Sequence, residues 1–171
     1  MPDFAIRQET PSDHARVARI QETAFGGPDE AELVEMLRQS ARPQLSLVAE
    51  LAGDVVGHVF FSPVSIEGPG VSSPSAGLAP LAVAPHVQRR GAGAALVRAG
   101  LSACVPLGWQ AVFVLGEPAY YSRFGFVLAA PLGLRYESES FDSAFQVLEL
   151  VGGALAGCGG WVRYHEAFAE F

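Results

Sequence analysis

The sequence predicts an α/β protein, a mixed sheet with helices on both faces, formed as one domain from residues 1–171. Three observations predict it. Half of the residues are apolar, enough at this length to bury about 70% of the unfolded surface in one core without a second domain. Apolar runs with strand alternation take turns along the chain with runs of helical period. After the strand-like Leu81-Ala82-Val83, a basic glycine turn, Gln88-Arg89-Arg90-Gly91-Ala92-Gly93, leads into an unbroken helical pattern.

Residues 3–8 alternate as a first strand. Thr10-Pro11-Ser12-Asp13 then reads as an N-cap, a proline at the first helical position and an acid in the first turn. The helix it opens runs to about Phe25, with Val17 and Ile20 on its apolar face, and Gly26-Gly27-Pro28 breaks it. A second amphipathic helix covers residues 30–41, carrying Leu33, Val34, Met36 and Leu37. Residues 45–51 and 55–66 are predicted strands, joined by the hairpin turn Ala52-Gly53-Asp54. Residues 67–75, rich in Gly, Pro and Ser, form a loop. A fourth strand spans residues 78–84; Pro80 within it cannot donate a ladder hydrogen bond, so pairing must break nearby. The third helix runs over residues 93–105 and stops at Pro106-Leu107-Gly108. A fifth strand at 111–115, a short helix bearing Tyr120 and Tyr121, and two last strands at 145–151 and 160–164 complete the sheet. The stretch 147–162 is broken by Glu149 and five glycines and is short for a membrane span.

The glycine turn carries chemistry. Glycines at 91 and 93 let backbone approach a bulky anion closely. The helix starting there aims unsatisfied N–H groups and its positive dipole end at the same place, which makes a cradle for a pyrophosphate. A dinucleotide fingerprint would need a third glycine where Leu96 stands, and Gln88-Arg89-Arg90 intervenes before the turn. A Walker loop would need Gly-Lys-Ser or Gly-Lys-Thr, which the chain lacks. The pattern Q/R-x-x-G-x-G/A remains, met by residues 88–93. Further on, Gly116-Glu117-Pro118-Ala119-Tyr120-Tyr121-Ser122-Arg123-Phe124-Gly125-Phe126 sets Tyr121 four residues ahead of a Gly-Phe pair. The two motifs, in this order and spacing, resemble those of the GCN5-related N-acetyltransferases (GNAT). The second is similar, more narrowly, to a bacterial YhbS-like branch of predicted acetyltransferases, and the resemblance extends across nearly the whole chain.

This resemblance implies a mostly antiparallel sheet whose fourth and fifth strands splay at a bulge, with the pantetheine arm of acetyl-CoA entering the gap and pairing like an extra strand. Acetyl-CoA would be the co-substrate. Backbone groups of Leu81 and Val83 would hold its pantetheine amides, and N–H groups across Arg89, Arg90, Gly91, Ala92, Gly93 and Ala94 its pyrophosphate. Gln88 opens the motif, and Arg89 and Arg90 are placed to add charge-assisted contacts. The activity implied is acetyl transfer to a primary amine of a small-molecule or peptide acceptor, by direct attack in a ternary complex. Tyr121 is then the general acid for the departing thiolate, since a phenol near pKa ~10 and a thiol near ~8.5 can share a proton. Tyr120 should point elsewhere on the helix, into the core or the acceptor-pocket wall. In this family the loop after the first helix, with the second helix, lines that pocket. Many relatives place a carboxylate base on the fourth strand, but residues 78–82 contain none. Glu117 is the candidate base, His58 the next, and a water chain the remaining route. A catalytically inert acyl-CoA-binding module is the alternative that the missing acid leaves open.

A net charge of −7 with one local basic pair argues against a nucleic-acid surface and fits a cationic acceptor better. No Ser-His-Asp set, Cys-His pair or metal spacing has motif support, so hydrolase and metalloenzyme readings are poor and no metal is expected. Cys104 and Cys158 read as reduced and buried, and residues 1–7 lack a basic head before an apolar core. A cytoplasmic protein with no membrane partner is therefore expected, and a homodimer is compatible with the sequence.

Overall fold

In a computed structural model, which describes residues 2–70 and 72–171, the first strand is β1 (Ala5–Gln8). Met1, at the head of the segment 1–7, and Val71, inside the predicted 67–75 loop, lie outside the described residues. Thr10 caps as expected: its N–H donates to Asp13 Oδ2 at 2.7 Å, and Arg7 grips the same carboxylate through two nitrogens, at 2.7 and 2.9 Å. A 3-10 turn, Pro11–Asp13, then leads into α1 (His14–Phe25), which ends on Gly26 at φ 78°. Next come α2 (Asp29–Ser40), β2 (Leu45–Leu51) and β3 (Asp54–Glu67). Ala52 and Gly53 between the two strands both take positive φ, 52° and 85°, the combination that a two-residue hairpin turn matched to strand twist requires.

The strand β4 (Ser75–Val83) begins three residues earlier than predicted. Ser75-Ala76-Gly77 has little strand propensity, but its residues are buried and paired on both sides, so tertiary pairing decides the assignment. The remaining elements are α3 (Ala92–Cys104), β5 (Ala111–Leu115), α4 (Pro118–Tyr121), β8 (Phe145–Glu149) and β9 (Gly160–Arg163). Between α4 and β8 lie β6 (Val127–Leu128) and β7 (Leu134–Arg135), two-residue strands too short to show a period.

The strands follow the order β1-β2-β3-β4-β5-β8-β6, with β9 joined to β3 and β7. Pairing is antiparallel except at β4–β5 and β7–β9. On one face α3 packs Leu96, Val97 and Leu101 against Leu47, Val59, Phe61 and Val112. On the other, α1 and α2 pack Val17, Ile20, Val34 and Leu37 against Val48, Phe60 and Ala82. Helices therefore cover both faces.

Two irregularities shape the centre of the sheet. Val59 pairs with Leu81 but Phe61 with Leu78, so Ala79 and Pro80, joined by a cis peptide, share one place on the β4 side opposite Phe60. This is the interruption that Pro80 predicted, a β-bulge. In addition, β4 pairs with β5 only over Ser75–Gly77 against Ala111–Phe113, whereas β4 continues to Val83. The two strands fork beyond Gly77. Tyr164 sits at the fork: its ring lies where a Cβ on Gly77 would be, and its hydroxyl donates to the Phe113 carbonyl at 3.1 Å. Glycine is required at 77 for this close approach.

Candidate active site

The chain leaves β4 through a 3-10 turn, Pro85–Val87, and reaches α3 through two left-handed residues, Arg89 at φ 65° and Gly91 at φ 95°. Positive φ is easy for glycine and costly for arginine, and successive turns of this kind point backbone N–H groups into an anion-binding concavity. The helix begins at Ala92, one residue before the predicted start, because Gly91 itself is the cap. Its first bond joins Ala95 N–H to the Gly91 carbonyl at 3.0 Å. The N–H groups of Ala92, Gly93 and Ala94 thus have no acceptor within the helix and face outward at its positive end.

A cavity of about 710 Å³ opens at this turn. It is lined by Val83, by every residue from Gln88 to Ala95, by Arg98, Tyr120 and Arg123, and by Pro2, Asp3 and Phe4 at the start of the chain. Eight of the nine expected coenzyme-binding residues are therefore together; Leu81, two residues up β4, does not line the cavity. The Gln88 amide donates to the Val83 carbonyl at 3.0 Å, bridging the end of the strand and the turn.

The tyrosines differ from the expected arrangement. Tyr120, read above as core or acceptor wall, lines the cavity, and its hydroxyl lies 2.8 Å from where a Cβ on Gly93 would be. From the short helix α4 the Tyr120 side chain thus reaches over the start of α3. Tyr121 faces away from the turn: its ring lies 2.5 Å from an ideal Gly116 Cβ and edge-on to Phe126, at 5.7 Å between centroids. Burial, and then the phenol of Tyr120, push its pKa up to about 12. Burial likewise raises Tyr164, with Tyr136 and then Tyr121 adding to it.

Glu117 is exposed at the N-terminus of α4, where its carboxylate accepts the Ala119 N–H at 3.4 Å. His58 is fully buried between β2 and β4. Gln21 Nε2 donates to its Nδ1 at 2.9 Å, and its Nε2 meets Ser46 Oγ at 2.8 Å; Ser46 in turn donates to Glu9, which Arg38 holds. Both ring nitrogens are engaged and burial lowers its pKa to about 4, so His58 is a neutral core histidine. Sequence reasoning did not single out Arg98, Arg123 or Tyr164. Arg123 stood inside the quoted motif, but Arg98 looked like any exposed helical charge, and Tyr164 reaches the fork only through the β3–β9 pairing. Among the described residues no helix is long and apolar enough to cross a membrane, and no group of three His, Cys, Asp or Glu side chains is placed to hold a metal ion.

A mixed sheet forked at its parallel pair, with an anion-binding turn at the fork's mouth, defines a class of acyltransferase, and comparison with known proteins agrees. Residues 5–129 match the acetyltransferase (GNAT) domain family. The chain is 42% identical over 167 residues to the uncharacterized N-acetyltransferase YhbS of Escherichia coli K12, covering 97% of this chain and 99% of that one. The crystal structure of E. coli YhbS, in complex with CoA, superposes with a TM-score of 0.89 at 40% identity, covering 100% of this chain and 94% of that one. A GNAT-family acetyltransferase of Brucella melitensis, in complex with acetyl-CoA, superposes with a TM-score of 0.78 at 35% identity, covering 98% and 99%. The chain belongs to the GNAT family of N-acetyltransferases.

Proposed function

We propose that this protein transfers the acetyl group of acetyl-CoA to a primary amine by direct attack in a ternary complex. The observation that carries the reading is the cavity at the Arg89–Gly91 turn, where two left-handed residues and three outward N–H groups meet at the mouth of the fork. Its size and donor set suit a pyrophosphate with an extended arm, and relatives with CoA and acetyl-CoA bound support the identity of that ligand. The backbone of Arg89 to Ala94 binds the phosphates, with Arg89, Arg90 and Gln88 around them. Leu81 and Val83 offer backbone groups to the arm on the open side of β4.

Acetyl-CoA supplies a thioester carbonyl activated toward nucleophiles. The amine nitrogen bonds to the acetyl carbon, the carbon–sulfur bond breaks with its electron pair on sulfur, and the amine loses a proton. Glu117, beside the end of β5, takes that proton directly or through water. Tyr121 keeps its own proton at every working pH because burial holds it up to about 12. A phenol that weak as an acid sits well above a thiol at ~8.5. Its part is then to donate a hydrogen bond to the sulfur as charge develops while keeping its proton, and the departing thiolate is protonated by water. The acceptor is a small-molecule or peptide amine, the whole of 1–171 is the catalytic domain because β8 beyond the family match pairs along β5, and the setting is the cytoplasm. Titrating the protein with acetyl-CoA, then following thiol release across an amine panel, tests the reading; binding that survives Gly91→Glu unchanged would move the coenzyme elsewhere.

A further inference from the structure

Phe124 closes the short helical segment after β5, and two guanidinium groups from different elements approach its ring. Arg98 on α3 stands 4.9 Å from the ring centroid and Arg123 stands 5.0 Å from it, with Arg123 also 4.4 Å from the Tyr120 ring. Neither arginine has a carboxylate partner among the described residues, whereas Arg7, Arg38, Arg135 and Arg163 are all ion-paired. Aromatic faces hold these two guanidiniums in place and leave their N–H edges unspent. Both also line the cavity at the glycine turn, in which Asp3 is the lone carboxylate among the described lining residues.

Position then limits what the pair can bind. Arg98 lies six residues into α3 from Ala92, roughly 9 Å along the helix axis, and its guanidinium rests over the Phe124 ring. Two guanidiniums held side by side on one ring suit a second anionic group of the same ligand, and they match the roughly −1.5 to −2 charge of a phosphomonoester. We propose that Arg98 and Arg123 form a separate subsite for the ribose 3′-phosphate of the coenzyme, with Phe124 as the platform that positions them. The proposal rests on the coenzyme reading above.

Calorimetric titration with CoA and with 3′-dephospho-CoA tests it. Wild type should bind CoA roughly 10- to 100-fold more tightly than the dephospho form, as expected for losing charged hydrogen bonds. Arg98→Ala with Arg123→Ala should bind both forms alike, with the affinity that wild type shows for dephospho-CoA. Phe124→Leu, which keeps both charges and removes the platform, should reduce the preference. Equal wild-type affinity for the two forms, or an equal loss for both in the arginine variant, would overturn the subsite. Failure of wild type to bind either form would instead overturn the coenzyme reading, and the subsite with it.

Discussion

Tyr121 and Glu117 stand four residues apart, and the proposed mechanism assigns them different parts of one reaction. Phenylalanine at 121 keeps the ring that lies on Gly116 and against Phe126 and deletes one hydroxyl. If that hydroxyl stabilises departing thiolate, turnover should fall about 10²–10⁴-fold with coenzyme affinity and melting temperature little changed. A purely structural tyrosine would show the reverse, lower stability with normal turnover. Tyr120→Phe should differ from both, weakening coenzyme binding more than turnover, because that hydroxyl sits over the α3 start. For the base, Glu117→Gln should lower turnover at neutral pH and remove the acidic limb of the rate profile, read from kcat against pH. An unchanged profile would leave the proton to water, since His58 has both ring nitrogens engaged in the core. His58 makes its own prediction. Its folded pKa is depressed by burial to about 4 from 6.5, so the unfolded chain binds its proton first as pH falls. Stability is therefore complete above pH 6.5 and is lost through the window down to about 4. Melting temperatures of wild type and His58→Gln should converge across that window, and parallel curves would show that His58 does not carry the effect.

At the scale of elements, the site is the outcome of two glycine-dependent joints. Gly91 bends the chain into α3 at φ 95°, and Glu there would add both backbone strain and a negative charge where phosphates approach. Gly91→Glu should erase the acetyl-CoA-induced rise in melting temperature that wild type shows. Gly77 lets the Tyr164 ring reach the fork, so Gly77→Ala should cost roughly 1–3 kcal/mol by overpacking, measured by denaturant unfolding, and should weaken coenzyme binding as the fork shifts. The glycine turn, the proline break in β4 and the helix order were legible in the sequence because each is local: a left-handed position, a missing N–H and a 3.6-residue period leave marks within a few residues. What joins distant segments was not. Ser75 to Gly77 became strand through partners at Val64 and Ala111, Tyr164 entered the fork from β9, and Tyr120 reaches the cavity across the start of α3, which lies far from it in sequence.

For the molecule as a whole, ligand binding to the folded state alone should raise apparent stability by about 2.7 kcal/mol at ~100 times the dissociation constant. In a protein of this size that corresponds to a melting-temperature rise of roughly 5–10 °C, and no rise at saturating acetyl-CoA would count against the cavity as a coenzyme site. The net charge of −7 coexists with four of the eleven basic residues lining one cavity, where an anionic coenzyme would sit in the proposed reading. The most direct measurement uses acetyl-CoA labelled in the acetyl group, offered to the wild-type protein with a panel of primary amines. The account predicts label on the nitrogen of at least one amine, one CoA thiol released for each acetyl transferred, and loss of both in Gly91→Glu. Tight binding of the coenzyme with no label on any amine, or thiol release without an acetylated amine, would contradict it.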